Sequence, residues 1–407
     1  MRILVVSQYY YPEPFRINEV CEELVKRGHE VTVITSNPNY PEGNIYQGYK
    51  NINQSEMVNG VEVVRCKIRP RHNGNINLVL NYFSFVFSAI TEVKRLKRKK
   101  YVFDLIYVYQ LSPVTCAIPA IRAKKKFNAP VLLYCLDIWP ESVLNVLNPK
   151  GVSFSLVKKM SWAIYNKVDR IAVTSPCFVE YLNNVCKVKK EVMETIPQHS
   201  VDIMDSGIEN WKREDNGGFY FLFMGNIGES QNIECILRAV QMIPSDIQFR
   251  VHIVGSGSCL QKSMELCSKI GVDNRVIFHG RQPKSRLSIY YSQADVCLLT
   301  LRNEGVVGWT IPGKLQEYMS AGKPVIAAID GDSRKVIEDA KCGYCVSAND
   351  SEGLAKLMTF VISHNETLGS LSSNARSYYE KNYTLNRHVN LLEETIKKVI
   401  IIKKKED

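Results

Sequence analysis

The chain has 407 residues, 45% hydrophobic and 23% charged, which is too long for one ordinary core and too apolar for a disordered chain. No run of about 18 apolar residues is free of charge, so no spanning helix is expected. The net charge is +11, and all of that excess lies in the first 200 residues, which hold 27 Lys and Arg against 16 Asp and Glu. A basic half suits an anionic partner: nucleic acid, anionic lipid or a phosphorylated substrate.

Residues 2–7 read as a short buried strand, with no apolar leader or small-residue cleavage site ahead of it. A helical pattern near Asn18–Arg27 places Val20, Leu24 and Val25 on one side. Gly28-His29-Glu30 ends it, and Val31–Thr35 reads as a second strand. Strand, helix, strand is the pattern of a parallel sheet. Further strands are predicted at Val61–Cys66, Leu105–Tyr109, Val131–Cys135 and Arg170–Thr174. A polar, weakly patterned stretch, Asp202–Gly218, then breaks the chain.

The second half repeats the style. Strands are predicted at Phe219–Met224, Phe249–Gly255, Arg275–His279, Val296–Thr300, Pro324–Ala328 and Tyr344–Val346, with helices at Ile233–Gln241 and around Leu287–Gln293. A last helical stretch, Leu391–Ile402, runs into Lys403-Lys404-Lys405. The expected fold is α/β, with two doubly wound Rossmann-like domains facing across a cleft: residues 1–205, residues 206–385, and a C-terminal helix over 386–407 that packs back toward the first domain. The twelve cysteines follow no framework, and the lone Cys342/Cys345 pair lacks further zinc ligands, so reduced thiols in a cytoplasmic protein are expected.

Ligands of such sheets bind beyond the carboxyl ends of the strands, so the loops there are the candidates. The loop Tyr9–Asn18 enters a helix whose free N–H groups suit a phosphate, and Arg16 adds a forked cation. Leu136–Ser142 crowds Asp137, Trp139, Pro140 and Glu141 together. The two carboxylates can position sugar hydroxyls or act as acid or base, and helix capping is the other use of the same residues. Gly225-Asn226-Ile227-Gly228 and Gly255-Ser256-Gly257 let backbone approach a phosphate, although neither is a G-x-G-x-x-G fingerprint and no G-K-[ST] loop exists. In the stretch Glu304–Ala328, Lys314 lies in the first turn of a short helix and Glu317 about one turn on. A diphosphate-binding cation beside a ribose-binding carboxylate fits there, as does a surface ion pair.

The segment Glu317-Tyr318-Met319-Ser320-Ala321-Gly322-Lys323-Pro324-Val325 resembles the retaining glycosyltransferases of family 4, which have the GT-B fold. Gly28–Val33 is similar to that family's second strand, and Asn37–Gly43 and Asp137–Ser142 are similar to a narrower group that makes capsule, O-antigen or colanic-acid repeat units and includes L-fucosamine transferases. The resemblance implies a nucleotide-sugar donor, UDP-linked, with retention of anomeric configuration and no cofactor or metal. It implies that Glu317 holds the donor ribose; Gly225 and Asn226 are the candidate donor-loop contacts, Arg16, Arg281 and Lys314 are expected to supply the phosphate-binding charge, and Asp137 and Glu141 are the candidate catalytic carboxylates. The chain departs from the family pattern at three places. Asn226 stands at the donor-phosphate Arg, Gln231 near its Lys, and Trp309 at its first Glu, with Glu304 too far upstream to replace it.

Leu78–Lys100 is aromatic and apolar, then strongly basic, which suits an anionic membrane surface. Lys124–Lys126 adds to the same charge. The expected partners are therefore the donor, a polyprenyl-diphosphate-linked or saccharide acceptor, and the inner face of the cell membrane, with no nucleic acid. A nucleotide-sugar epimerase of the same fold and a non-catalytic membrane-associated scaffold are the competing readings.

Overall fold

Short apolar runs, buried on both sides, assemble into two sheets in the computed structural model, which describes residues 1–71, 74–142, 152–204, 218–303 and 309–406. The first sheet contains β1 (Arg2–Val6), β2 (Glu30–Ser36), β3 (Gln54–Val58), β4 (Val61–Cys66), β5 (Leu105–Gln110), β6 (Val131–Cys135), β7 (Arg170–Val173) and β8 (Met193–Thr195). Its order is β3-β4-β2-β1-β5-β6-β7-β8. Only β3 is antiparallel to its neighbour. The helices described with it are α1 (Ile17–Lys26), α2 (Asn75–Arg98), α3 (Ala117–Phe127), α4 (Val152–Tyr165) and α5 (Pro176–Asn184).

The second sheet, all parallel, contains β9 (Phe219–Met224), β10 (Phe249–Val254), β11 (Val276–Gly280), β12 (Val296–Thr300), β13 (Val325–Ala328) and β14 (Gly343–Val346). Its order is β11-β10-β9-β12-β13-β14. Around it are α6 (Ile233–Met242), α7 (Leu260–Lys269), α8 (Lys284–Gln293), α9 (Gly313–Ser320), α10 (Gly331–Ala340), α11 (Ser351–Ser363) and α12 (Leu368–Asn382). The alternation along each strand feeds two apolar layers. Phe221, Phe223, Val251 and Ile253 face one layer with α6 and α11. Leu222, Met224, Cys297 and Leu299 face the other with α9 and α12. In each sheet the strand order reverses beside its first strand, between β1 and β5 and between β9 and β12. That reversal opens a crevice at the carboxyl ends.

The chain divides into two units, Met1–Pro197 with His388–Asp407, and Gln198–Arg387. The sequence assigned residues 198–205 to the first domain, but backbone and side-chain bonds tie the described part of that segment to the second. The Ser200 N–H donates to the Tyr383 carbonyl at 2.9 Å, and Asp202 pairs with Arg376 at 2.6 Å. The polar edge strand β3, Gln-Ser-Glu-Met-Val, and the short β8 carry too little apolar alternation to be read beforehand. Helix α2 is long and apolar enough in composition to cross a membrane, at a mean hydropathy of 1.4 over its best window. Yet Leu78, Phe85, Val86, Ala89, Val93 and Leu96 are core, and buried Asn81 and Glu92 bond within the domain.

The last helix, α13 (Leu385–Glu406), joins the first unit through polar contacts. Glu393 accepts from His29 Nε2 at 2.7 Å and from Arg27 at 3.1 Å, while Thr395 and Lys398 reach Glu194. Burial would raise the Glu393 carboxyl, but its bonds from His29 and Arg27 outweigh that and hold it below the ordinary range. A depressed carboxylate stabilises the fold above its unfolded value and loses that contribution as pH falls through the folded value. Glu393→Gln is expected to cost about 1–2 kcal/mol near neutral pH and nothing in strong acid, read from urea unfolding across pH.

Candidate functional site

In the second unit, β9 ends in Gly225-Asn226-Ile227-Gly228 and β10 ends in Gly255-Ser256-Gly257. The two loops meet backbone to backbone. The Gly225 N–H donates to the Val254 carbonyl at 2.9 Å, and the Ile227 N–H to the Ser256 carbonyl at 2.9 Å. A Cβ on Gly255 would stand 1.8 Å from the Gly225 carbonyl oxygen, and one on Gly257 2.4 Å from that of Ile227. Both positions also have positive φ, so glycine is required twice over.

Helix α9 is held against this loop pair. The Tyr318 hydroxyl accepts from the Met224 N–H at 3.0 Å and donates to its carbonyl at 3.2 Å. That anchor lays the Lys314 stem across Gly225, where a Cβ would be 2.7 Å from Lys314 Cδ. The Lys314 amine sits 4.4 Å over the Phe223 ring, buried and without a hydrogen-bond partner. Burial pushes it down to about 7, with Glu317 acting in the opposite sense. Glu317 lies beside the buried Tyr291 hydroxyl. The pair is therefore not a surface ion pair. It is a buried amine with a carboxylate one turn away on the same helix.

The other expected donor residues divide. Asn226 is in this site, but its amide donates to Gln231 Oε1 at 3.2 Å, and the Gly228 N–H donates to the same oxygen at 3.3 Å. The two neutral replacements for the family cations thus bond to each other and close the loop. Arg281 is exposed and follows Gly280, whose carbonyl accepts from the Gly255 N–H, so it flanks the glycine loops. Trp309 is half-buried, and Glu304 lies outside the described residues. Arg16 belongs to the first unit, at the start of α1, where its charge acts on the Tyr134 hydroxyl. Cys342 and Cys345 are unpaired thiols, both pushed up to about 12 by burial.

In the first unit a second cluster forms at the carboxyl ends of β1, β2, β5 and β6, whose following loops each hold one cis X–Pro bond. Gln8 donates to Asn81 of α2 at 2.8 Å. Asp137 accepts from the Ser112 N–H at 2.9 Å, and Gln110 donates to the Asp137 carbonyl at 2.8 Å. Asp137 thus ties two strand ends together rather than capping a helix. Burial raises its carboxyl, against the Ser112 hydrogen bonds. Glu141 is turned away, against Tyr181. Tyr9 stacks on Phe15 at 5.0 Å between centroids, Tyr40 packs tilted against both at 5.3 to 5.4 Å, and Arg71 lies over Tyr40. Both Asp137 and Arg71 act on the Tyr82 hydroxyl, which places these residues in one neighbourhood.

Several buried polar atoms there lack a partner: Gln8 Oε1, Tyr9 Oη, Asn37 Oδ1, Asn39 Oδ1 and Gln110 Oε1. Buried polar groups are normally satisfied, so this concentration marks a place for a hydroxyl-rich ligand or bound water. Glu13, fully buried, accepts from the Asn39 and Tyr40 N–H groups and is pushed up to about 7 by burial. Glu13, Tyr82, Arg71, Gln8, Asn81 and Gln110 were not singled out from sequence, where only the Pro-Glu-Pro setting of Glu13 offered a signal, whereas Asn37 and Asn39 lie in the Asn37–Gly43 turn that carried the resemblance.

Two α/β units with almost wholly parallel sheets, each carrying polar or glycine-rich loops at its carboxyl strand ends, are the architecture of a glycosyltransferase of the GT-B kind. The chain belongs to the family 4 glycosyltransferases: residues 15–199 match the family described as glycosyl transferase 4-like domain, and residues 208–378 that described as glycosyl transferases group 1. It is 26% identical to the probable glycosyltransferase WbjE of Pseudomonas aeruginosa, over 78% of this chain and 80% of that one. It is 24% identical to the putative colanic acid biosynthesis glycosyl transferase WcaI of Escherichia coli, over 79% and 82%. Its fold matches Anabaena Alr3699/HepE, solved in complex with UDP, at a TM-score of 0.67 and 14% identity, over 98% and 99% of the two chains.

Gly255→Ala is expected to destabilise the second unit by more than about 2 kcal/mol, read by denaturant unfolding, because backbone stands where the methyl must go. Lys314 yields a pH signature. From about 7 upward the folded chain holds this amine neutral, while the unfolded chain keeps it protonated toward its ordinary value. The unfolded state then binds more protons, so stability rises with pH above about 7. Lys314→Met is expected to remove about 1–2 kcal/mol of that rise between about pH 7 and 9, measured as the difference between the two proteins' unfolding curves.

Proposed function

We propose that the chain transfers a sugar, with retention, from a UDP-linked donor held in the second unit to a lipid-linked or saccharide acceptor held in the first. It serves bacterial surface-polysaccharide assembly as a peripheral protein on the inner face of the cell membrane. The observation that carries the donor assignment is the buried, partnerless Lys314 amine beside the Gly225 backbone. A cation is stable at such a place only when an anion joins it, and a diphosphate is the anion that such a loop admits. Glu317 then accepts ribose hydroxyls. HepE was solved with UDP, and WcaI is named for colanic acid synthesis, which supports the donor and the pathway class.

As the glycosidic bond to the donor breaks, negative charge grows on the departing diphosphate. Lys314, with the α9 N-terminus, opposes that charge where it develops, so fixed groups and not a metal carry the stabilisation in this reading. Asp137, kept basic enough by burial to accept a hydrogen bond strongly, orients an acceptor hydroxyl. Exposed apolar side chains of α2 and the basic excess of the first half support the membrane assignment.

The test is incubation with a panel of nucleotide sugars and lipid-linked or free acceptors, with products read by mass spectrometry and anomeric configuration by NMR. Conversion of donor alone would replace this reading with an epimerase. In calorimetry near pH 8, UDP binding is expected to take up as much as about one proton, as Lys314 becomes charged. Lys314→Met is expected to abolish the uptake and weaken UDP about tenfold or more. UDP binding without proton uptake would detach Lys314 from the diphosphate.

A further inference from the structure

Helix α2 buries one face and leaves another bare. Ile76, Leu80, Phe83 and Phe87 are all exposed, Ile76 at 77% and Phe87 at 68%. Their spacing of four, three and four residues sets them in one stripe. Thr91, Lys94 and Arg98 extend the same stripe, so its far end is basic. Isolated exposed apolar residues need no explanation, but an aligned row ending in cations does.

The segment Lys67–Arg71 runs beside that stripe. The Arg69 N–H donates to Ser84 Oγ at 2.9 Å, its carbonyl accepts from Asn81 at 2.7 Å, and its guanidinium donates to Asn77 at 3.2 Å. Asn77, Asn81 and Ser84 lie about a quarter turn round the helix from the stripe. Lys67, Arg69 and Arg71 alternate along the segment, and none forms an ion pair with a carboxylate among the described residues. Arg71 reaches inward over Tyr40, at the edge of the polar cluster of Gln8, Asn37 and Asn39. Three chemistries thus adjoin in one unit: hydroxyl-binding amides, unpaired cations and an apolar strip.

Resting on the glycosyltransferase reading, we propose that Arg69 and Arg71 hold the diphosphate of a polyprenyl-linked acceptor, with its first sugars on the amide cluster and its apolar chain along Ile76, Leu80, Phe83 and Phe87. A forked guanidinium matches phosphate oxygens in geometry as well as charge. The basic end of α2 faces the anionic headgroups around the carrier. A soluble saccharide would leave both the cations and the strip without work.

The experiment is vesicle flotation with the full chain. One set of phosphatidylcholine vesicles contains polyprenyl diphosphate, and a second is matched in surface charge with phosphatidylglycerol. The wild type is expected to bind the first about tenfold more tightly. Arg69→Gln with Arg71→Gln is expected to abolish that preference yet keep the weaker binding, since Arg69 makes its fold-bearing contacts through backbone. Phe83→Ser with Phe87→Ser is expected to weaken binding to both sets. Equal wild-type binding to the two sets would overturn the proposal. So would a preference that survives loss of both arginines, or full displacement by inorganic pyrophosphate, which would show that the lipid contributes nothing. Thermal melts confirm folding of each variant. UDP titration of the same samples tests the donor reading separately: lost UDP binding with an intact vesicle preference would sink that reading and leave the surface assigned.

Discussion

The contact of Gly225 with Gly255 sets the geometry of the second unit's site. The two loops touch backbone to backbone because Gly255 carries no Cβ to meet the Gly225 carbonyl. With the loops in contact, their N–H groups are fixed and the face of Gly225 is open. The Lys314 stem fills that face, and Tyr318 locks its helix to Met224. Each step leaves the next with one solution. The buried amine is a consequence of the glycine pair, and the chemistry available at the site is a consequence of the amine.

The parallel sheets explain why polar groups collect where they do. Their strands are covered on both faces, so side chains along them must be apolar, as Ile3–Val6 and Leu105–Tyr109 are. Polar residues are few within the strands and gather where the strand stops. Gln8, Asn37, Gln110 and Asp137 stand at or just beyond four such stops. Their backbones are satisfied by neighbouring loops, and some of their side-chain atoms are not. The fold thereby gathers several of this unit's unsatisfied polar atoms at one end of the sheet.

Much of the fold was legible because fully buried strands are written as continuous apolar runs. Val61–Cys66, Val131–Cys135, Phe219–Met224 and Val296–Thr300 fall where the runs fall. The polar edge strand β3 escaped because one partner strand and a wet face impose little pattern on it. Residues 198–204 were assigned to the wrong side because long-range bonds such as Asp202 to Arg376 leave no trace in local sequence. The site was legible in its glycine loops and in Lys314, whose position follows from a short helix after a Gly-rich loop. It was illegible in Glu13, Arg71 and Tyr82, whose neighbourhood depends on strand order. Glu141 misled for the same reason: adjacency to Asp137 in sequence does not decide which way a side chain turns.

The neutral pair Asn226 and Gln231 bears on how the site tolerates a buried cation. At those positions the family resemblance implies an arginine and a lysine, which would repel Lys314 and hold a standing positive charge in the empty site. Here the two amides bond each other, and the amine laid across Gly225 is one that burial pushes down to about 7. An amine poised there is neutral at little cost when the site is empty. It becomes charged when an anion supplies the partner that burial denies it. Charge is then created by the ligand instead of stored against it. A neutral sugar gains nothing from such a group, whereas a diphosphate gains a full ion pair in a dry setting. Under the donor assignment proposed above, replacing two permanent cations with one conditional cation exchanges some standing attraction for a sharper distinction between charged and uncharged ligands.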